Sequence, residues 1–289
     1  MNSSRHNYTL SDGRNLEYLN NGLNSNSAII LHAGTTQDIA GWQTWLDYFA
    51  SNGVFALSFG RSGYAGSTKQ PGRITIDVAK DVAELSKHLG ITKFVNLGLS
   101  GGGQHAIATG LDPRSVGVVT VGSLAPFAEL GESFYTGMQQ ADLDEYEDAL
   151  RDINDLVKRF QKWQDGNVAD SVAGSELSER DQLASSKPTW KVLLDSCAIT
   201  MEKGWDWVAD DYSSYLNPWG FDPRDVKVPT VIWQGGLDKN VPVQHGRWLA
   251  ANMTSSRLEL RESESHLGLF VNYEEAIMQS AIELISNGK

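Results

Sequence analysis

Cysteine is almost absent from this 289-residue chain: Cys197 stands alone, so no intrachain disulfide can form. A reduced, cytoplasmic setting is the matching expectation. Basic residues are the scarcer charge, 24 against 36 acidic ones, for a formal charge of -12. No run of Lys and Arg offsets that locally, so a phosphate backbone would be repelled and nucleic acid is not an expected partner. No stretch approaches the ~18 apolar residues that cross a bilayer. The polar segment Met1 to Asp12 lacks the apolar core of an export signal, so neither membrane nor export is expected. No Lys follows the glycine clusters and no Gly-x-Gly-x-x-Gly occurs, which argues against a phosphate-bearing cofactor. No two of the six histidines have ligand spacing on one element, so no metal is expected either. Repeats and low-complexity tracts are also missing. What the chain does have is apolar mass: 40% hydrophobic residues and nine Trp, enough for a real core.

Short apolar runs alternate with longer amphipathic ones through the first half. Ala28 to His32, Val54 to Ser58, Phe94 to Leu97 and Val116 to Val121 read as strands. Trp42 to Ser51, Ile76 to Leu89 and Gln104 to Gly110 read as helices between them, with Gly90 as a C-terminal stop. The strands are uninterrupted rather than alternating, which predicts a mostly parallel, twisted sheet covered by helices on both faces. The more polar region before Ala28 predicts a small antiparallel hairpin turning at Asp12-Gly13. After Pro126 the rhythm stops. Helical patterning then dominates, with Asp142 to Gln164 as the longest helix, Thr189 to Lys203 as another, and a polar loop from Gly166 to Ser178 between them. Five of the nine tryptophans fall in this stretch. The α/β rhythm resumes with strands near Pro229 to Gln234 and Leu258 to Leu260, and helices near Val243 to Asn252 and Tyr273 to Ser286. The organisation expected is an α/β core from residues 1–126 and 222–289, split by a helical insertion over 127–221.

One motif stands out chemically. Gly98-Leu99-Ser100-Gly101-Gly102-Gly103 lies between a strand and a helix, where a tight turn forces a strained backbone and small neighbours. The turn would put the Ser100 hydroxyl at a helix N-terminus, with the Gly101 amide facing any oxyanion formed there. A Gly-rich turn that merely packs, or cradles a phosphate, is the bland alternative. A serine nucleophile needs a base and a group to orient it. Only His266 follows the last strand, on the loop Glu262 to Leu267, at the sheet edge where the Ser100 turn would open. His105 lies inside the next helix and reads as structural, His88 and His245 as helix-surface residues, and His6 as part of a frayed terminus. Asp238 follows the strand Thr230 to Trp233 and is the expected acid, with Glu129 as the fallback. A second oxyanion donor is expected from the loop His32-Ala33-Gly34-Thr35-Thr36, where glycine lets backbone approach a substrate. The Gly34 amide is the choice, with His32 bracing the loop.

Together these residues resemble the α/β-hydrolase superfamily, in its capped, esterase-like and epoxide-hydrolase-like branch, over about Leu16 to Pro126 and Phe221 to Ile285. His32-Ala33-Gly34 is similar to that family's oxyanion loop, with Ala33 for the usual Gly. Arg61-Ser62-Gly63-Tyr64-Ala65-Gly66-Ser67 is similar to its Arg-Pro-Gly-Tyr-Gly-x-Ser segment, with Gly60 where an Asp usually stands. Trp219-Gly220-Phe221-Asp222, Pro229, Gly235, Asp238, Val241-Pro242 and His266 match its C-terminal half, with Ser265 for the usual Gly. The resemblance implies an α/β-hydrolase fold in which 127–221 is a cap roofing the site. A Ser in place of the nucleophilic Asp of dehalogenases and epoxide hydrolases disfavours those two reactions.

The expectation is a serine hydrolase for a small, largely apolar ester or lactone, with Ser100, Asp238 and His266 as triad and no cofactor or metal. Carbon–carbon hydrolysis on the same triad, and a small-molecule-binding protein with little turnover, are the alternatives. At least one tryptophan of the insertion is expected above Ser100.

Overall fold

The computed structural model describes residues 4–165, 179–202 and 204–288. Its strands are β1 (Arg5–Thr9), β2 (Asn15–Asn20), β3 (Ser27–His32), β4 (Ala56–Phe59), β5 (Lys93–Leu99), β6 (Ser115–Val121), β7 (Thr230–Gly235) and β8 (Ser256–Arg261). They form one sheet in the order β1-β2-β4-β3-β5-β6-β7-β8. The pairs from β4 through β8 are all parallel. β1 and β2 make the expected antiparallel hairpin, with Gly13 in the left-handed region at its turn, and β2 joins the sheet antiparallel to β4. His6 is therefore not frayed. It sits on β1 opposite Tyr18 and stacks on that ring at 5.2 Å.

Alternate strand residues supply two separate cores, as a doubly covered sheet requires. Ile29, Leu31, Val95, Leu97, Val119, Val121 and Val231 face one way, against Trp42, Trp45, Phe49, Phe270 and Ile277. Ala28, Ile30 and Phe94 face the other way, against Val78, Val82 and Leu85, while Val118 and Ile232 meet Ile107 and Leu249. The covering helices are α1 (Gln43–Ser51), α2 (Asp77–His88) and α3 (Gly103–Thr109) before the insertion.

Between β6 and β7, the described residues contain helices and no strand. These are α4 (Phe127–Leu130), α5 (Gln140–Arg151), α6 (Ile153–Asp165), α7 (Glu179–Ser185), α8 (Pro188–Met201) and α9 (Asp206–Leu216). The single long helix expected over Asp142 to Gln164 is two. Asp152 breaks it with an extended backbone (φ -160, ψ 121), and its carboxylate takes the Asn154 N–H at 2.9 Å. Asp favours such a cap over a helix interior. The expected polar loop from Gly166 to Ser178 lies outside the described residues. After the insertion come α10 (Val243–Asn252), α11 (His266–Asn272) and α12 (Glu274–Asn287).

The four described tryptophans of the insertion are buried. Trp205 stacks on Phe160 at 5.2 Å, Trp207 meets Tyr64 of the core at 4.2 Å, and Trp219 stacks on Phe221. Trp190 joins the cluster containing Trp42 and Trp45. They anchor the insertion, and Tyr215 of the insertion reaches Gly101 beside Ser100.

Candidate active site

Strand register brings the candidate residues to one edge. Leu99 is opposite Val121, and Val121 opposite Trp233, so the chain leaves β5, β6 and β7 at the same level. Ser100 takes the first step beyond β5, with φ 53 in the left-handed region. A side chain held there costs about 1–3 kcal/mol, a strain that surrounding structure must impose. Ser100 to Gly102 then form a 3-10 turn that runs into α3. Gly98 and Gly102 must be glycine: a Cβ on Gly98 would strike the Gly102 backbone, and one on Gly102 the carbonyls of His32 and Ala33.

His266 opens α11 rather than lying on the loop before it, and Ser265 is that helix's N-cap, accepting from Gly268 N–H at 3.0 Å. The Ser265 hydroxyl also donates to Asp181 of α7. Asp238, in the loop after β7, accepts at Oδ2 from His266 Nδ1 over 2.7 Å. Its other oxygen accepts from the amides of Asn240 (3.0 Å) and Val241 (2.8 Å), which fixes the carboxylate plane. With Nδ1–H so engaged, Nε2 is the nitrogen left to act as base. Burial works against a charged His266, but the Asp238 carboxylate outweighs it and raises the imidazole above its ordinary value.

Gly122, one step beyond β6, is where the pair meets the Ser100 strand's neighbour. A Cβ there would lie 2.8 Å from His266 Cε1 and 3.2 Å from Asp238 Oδ2, at a backbone φ of 55. Nothing in the sequence reading singled out Gly122; its signal is a glycine immediately after a strand at the carboxyl edge. Ser100 is half-exposed, and among the described residues its hydroxyl bonds neither His266 nor any other side chain. Catalytic contacts of this kind often tighten only when substrate binds.

The amide expected to be the second oxyanion donor is already engaged. Gly34 N–H donates to Gln37 Oε1 at 2.9 Å, so a substrate oxygen reaches that amide only if Gln37 gives way. His32 is buried against Asn96 and edge-on to Phe59, and burial lowers it to about 3, consistent with a bracing role. His105 is buried and bonded to the Thr75 carbonyl. His88 is exposed, as expected. His245 is not: it is fully buried, accepting from Ala125 N–H at Nδ1 and donating to the Phe134 carbonyl from Nε2, where the chain enters the insertion. An amphipathic helix with a His toward the core looks the same in sequence as one with it toward solvent. Glu129 is exposed and paired with Arg224, so the fallback acid is not at this edge.

Two acidic residues of the insertion complete the surroundings. Asp142 accepts from Asn240 Nδ2 at 3.1 Å, and burial pushes its carboxyl up to about 7. Asp211 on α9 is fully buried and accepts from Arg61, Arg73, Tyr64 and Tyr215. Burial alone would raise it, but the two guanidinium groups hold it well below the usual carboxylate range. Arg61 also donates to the Ala33 carbonyl, tying this cluster to the oxyanion loop.

A family model for the alpha/beta hydrolase fold matches residues 27–273. Solved structures agree at low identity. A hydrolase from Pseudomonas aeruginosa is 20% identical over 98% of both chains, with a TM-score of 0.67. The enol-lactonase of Burkholderia xenovorans is 17% identical over 98% of this chain and 100% of its own, at 0.68. A thermophilic esterase from Thermogutta terrifontis is 18% identical over 99% of this chain and 98% of its own, at 0.69. No curated protein matches the chain significantly.

Proposed function

The chain belongs to the alpha/beta hydrolase fold family, and on that premise we propose that it is a serine hydrolase of a small, largely apolar ester or lactone. One observation carries the reading: a serine in a strained left-handed turn opens at the same sheet edge as a buried His266–Asp238 pair 2.7 Å long. The strained turn costs stability rather than adding to it, and together the two features are what acyl transfer needs.

Ser100 Oγ attacks the carbonyl carbon while His266 Nε2 takes its proton. Asp238 holds the ring and favours its charged form. The oxyanion gathers at the Gly101 amide and, once Gln37 is displaced, at that of Gly34. His266 then gives its proton to the leaving alcohol, and water releases the acyl group by the same steps in reverse roles. Residues 127–221 act in this account as a cap over the site, supported by Tyr215 reaching Gly101. Resemblance to an esterase and an enol-lactonase in fold supports the ester or lactone class. A cytoplasmic setting belongs to the same reading, with Cys197 the single cysteine.

The test is turnover of short-chain nitrophenyl esters and small lactones by the wild type and Ser100→Ala. The wild type should hydrolyse at least one class, and the variant should lose roughly three to six orders of magnitude in kcat. Equal turnover by both proteins would overturn the proposal.

A further inference from the structure

Two hydroxyls crowd the residue after Ser100. A Cβ on Gly101 would run into the Tyr215 hydroxyl and Thr35 Oγ1, so those oxygens fill the space where any other residue's side chain would stand. Thr35 comes from the loop after β3 and Tyr215 from α9, and their oxygens are 2.6 Å apart. Thr35 is half-exposed, like Ser100, whereas Tyr215 is buried. Of the pair, Thr35 is the one a substrate can reach.

The proton positions follow from Asp211. As an ionised carboxylate it only accepts, so Tyr64 and Tyr215 both donate to it, Tyr215 over 3.0 Å. The Tyr215 oxygen is then free to accept, which makes Thr35 the donor in the 2.6 Å contact. Meanwhile Gly34 N–H is engaged by Gln37. The resting site therefore holds a donor hydroxyl beside Gly101, parked on a partner that can release it.

We infer, resting on the serine-hydrolase reading, that Thr35 is a further catalytic residue whose hydroxyl donates to the oxyanion, and that Tyr215, held by Asp211, positions it. As negative charge develops on the substrate oxygen beside Gly101, the Thr35 proton turns toward it. The Tyr215 proton turns from Asp211 to Thr35 Oγ1. Both moves are rotations about C–O bonds; no covalent bond forms or breaks and each proton stays on its own oxygen. Asp211 keeps Arg61, Arg73 and Tyr64 as donors throughout. The glycine at 101 follows from the same arrangement, because a side chain there would expel the donor.

The experiment compares Thr35→Val, Thr35→Ser, Tyr215→Phe and Ser100→Ala with the wild type. It reads kcat and KM on nitrophenyl butyrate and the affinity of a trifluoromethyl ketone, whose adduct carries the oxyanion. Thr35→Val should lower kcat about 10- to 100-fold, somewhat less than loss of a primary oxyanion donor, with KM nearly unchanged. Ketone affinity should fall by a similar factor. Thr35→Ser, which restores the hydroxyl, should recover most of both, and Tyr215→Phe should lie between. Unchanged kcat and ketone affinity in Thr35→Val, or equal losses in Thr35→Val and Thr35→Ser, would overturn the role of Thr35 while Ser100→Ala remains dead. If Ser100→Ala itself turns over normally, the underlying hydrolase reading fails instead.

Discussion

Asp142 is bonded to the Asp238 loop through Asn240, and Asp142 and His266 each bear on the other's charge. His266 must be neutral to accept the Ser100 proton, so activity falls as pH drops through its pKa, which Asp238 holds above the ordinary histidine value against the effect of burial. Asp142 acts in the same direction when ionised. Burial pushes its own carboxyl up to about 7, so it is partly ionised near neutral pH. Asp142→Asn keeps an acceptor for Asn240 but removes that charge, so imidazolium is favoured less. The acid limb of kcat/KM should therefore move to lower pH. A limb that stays put or moves upward would separate Asp142 from the base. Chemistry was legible at this scale only where the side chain is rare and its place is forced. Ser100, Asp238 and His266 follow from motif and strand order, whereas Gly122, Thr35, Gln37 and Tyr215 are common residues whose importance lies in what stands opposite them. His245 was misplaced for the same reason: one turn of helix decides between core and solvent, and the sequence around it favours neither face.

The segments around the candidate acid, base and oxyanion donor are each tied to a helix of the insertion. On the acid loop, Gln139 N–H donates to the Lys239 carbonyl at 2.9 Å and Asn240 to Asp142 of α5. Beside the base, Arg180 of α7 donates to Glu264 (Nε at 2.7 Å), and Ser265 donates to Asp181. On the oxyanion side, Asp211 and Tyr215 of α9 hold Arg61 and Thr35. An insertion linked this way fixes the spacing of loops that the sheet leaves free beyond its edge. The Asp211 cluster is the most deeply buried of these ties, and Asp210 lies close enough to Arg73 to feel its charge. Removing one partner from such a cluster leaves buried charge uncompensated, at a cost of about 3–5 kcal/mol. Asp211→Asn should accordingly lower the stability seen in urea unfolding by about 3 kcal/mol or more. A loss under about 1 kcal/mol, the range of an exposed pair, would show that the cluster does not hold the insertion on the core. The strands and core helices were readable because apolar period and turn residues coincide there. The break at Asp152 was not, because the apolar period continues across it and only the cap geometry interrupts the chain.

For the molecule as a whole, the parallel sheet and its helical insertion follow from pattern, since strands buried on both faces leave continuous apolar runs that few other architectures require. What pattern cannot carry is the union of three distant segments at one edge, which depends on strand order β5-β6-β7 and on Gly122 admitting the imidazole beside it. That union is the centre of the account: in the proposed function Ser100 is the nucleophile because its turn opens at the same sheet edge as the His266–Asp238 pair. The direct measurement is covalent labelling by a fluorophosphonate, followed by intact mass and peptide mapping. One adduct per chain on Ser100 is the predicted result, forming in the wild type and at least about a hundredfold more slowly in His266→Ala. No adduct, an adduct on another serine, or labelling of Ser100 at the same rate in both proteins would contradict it.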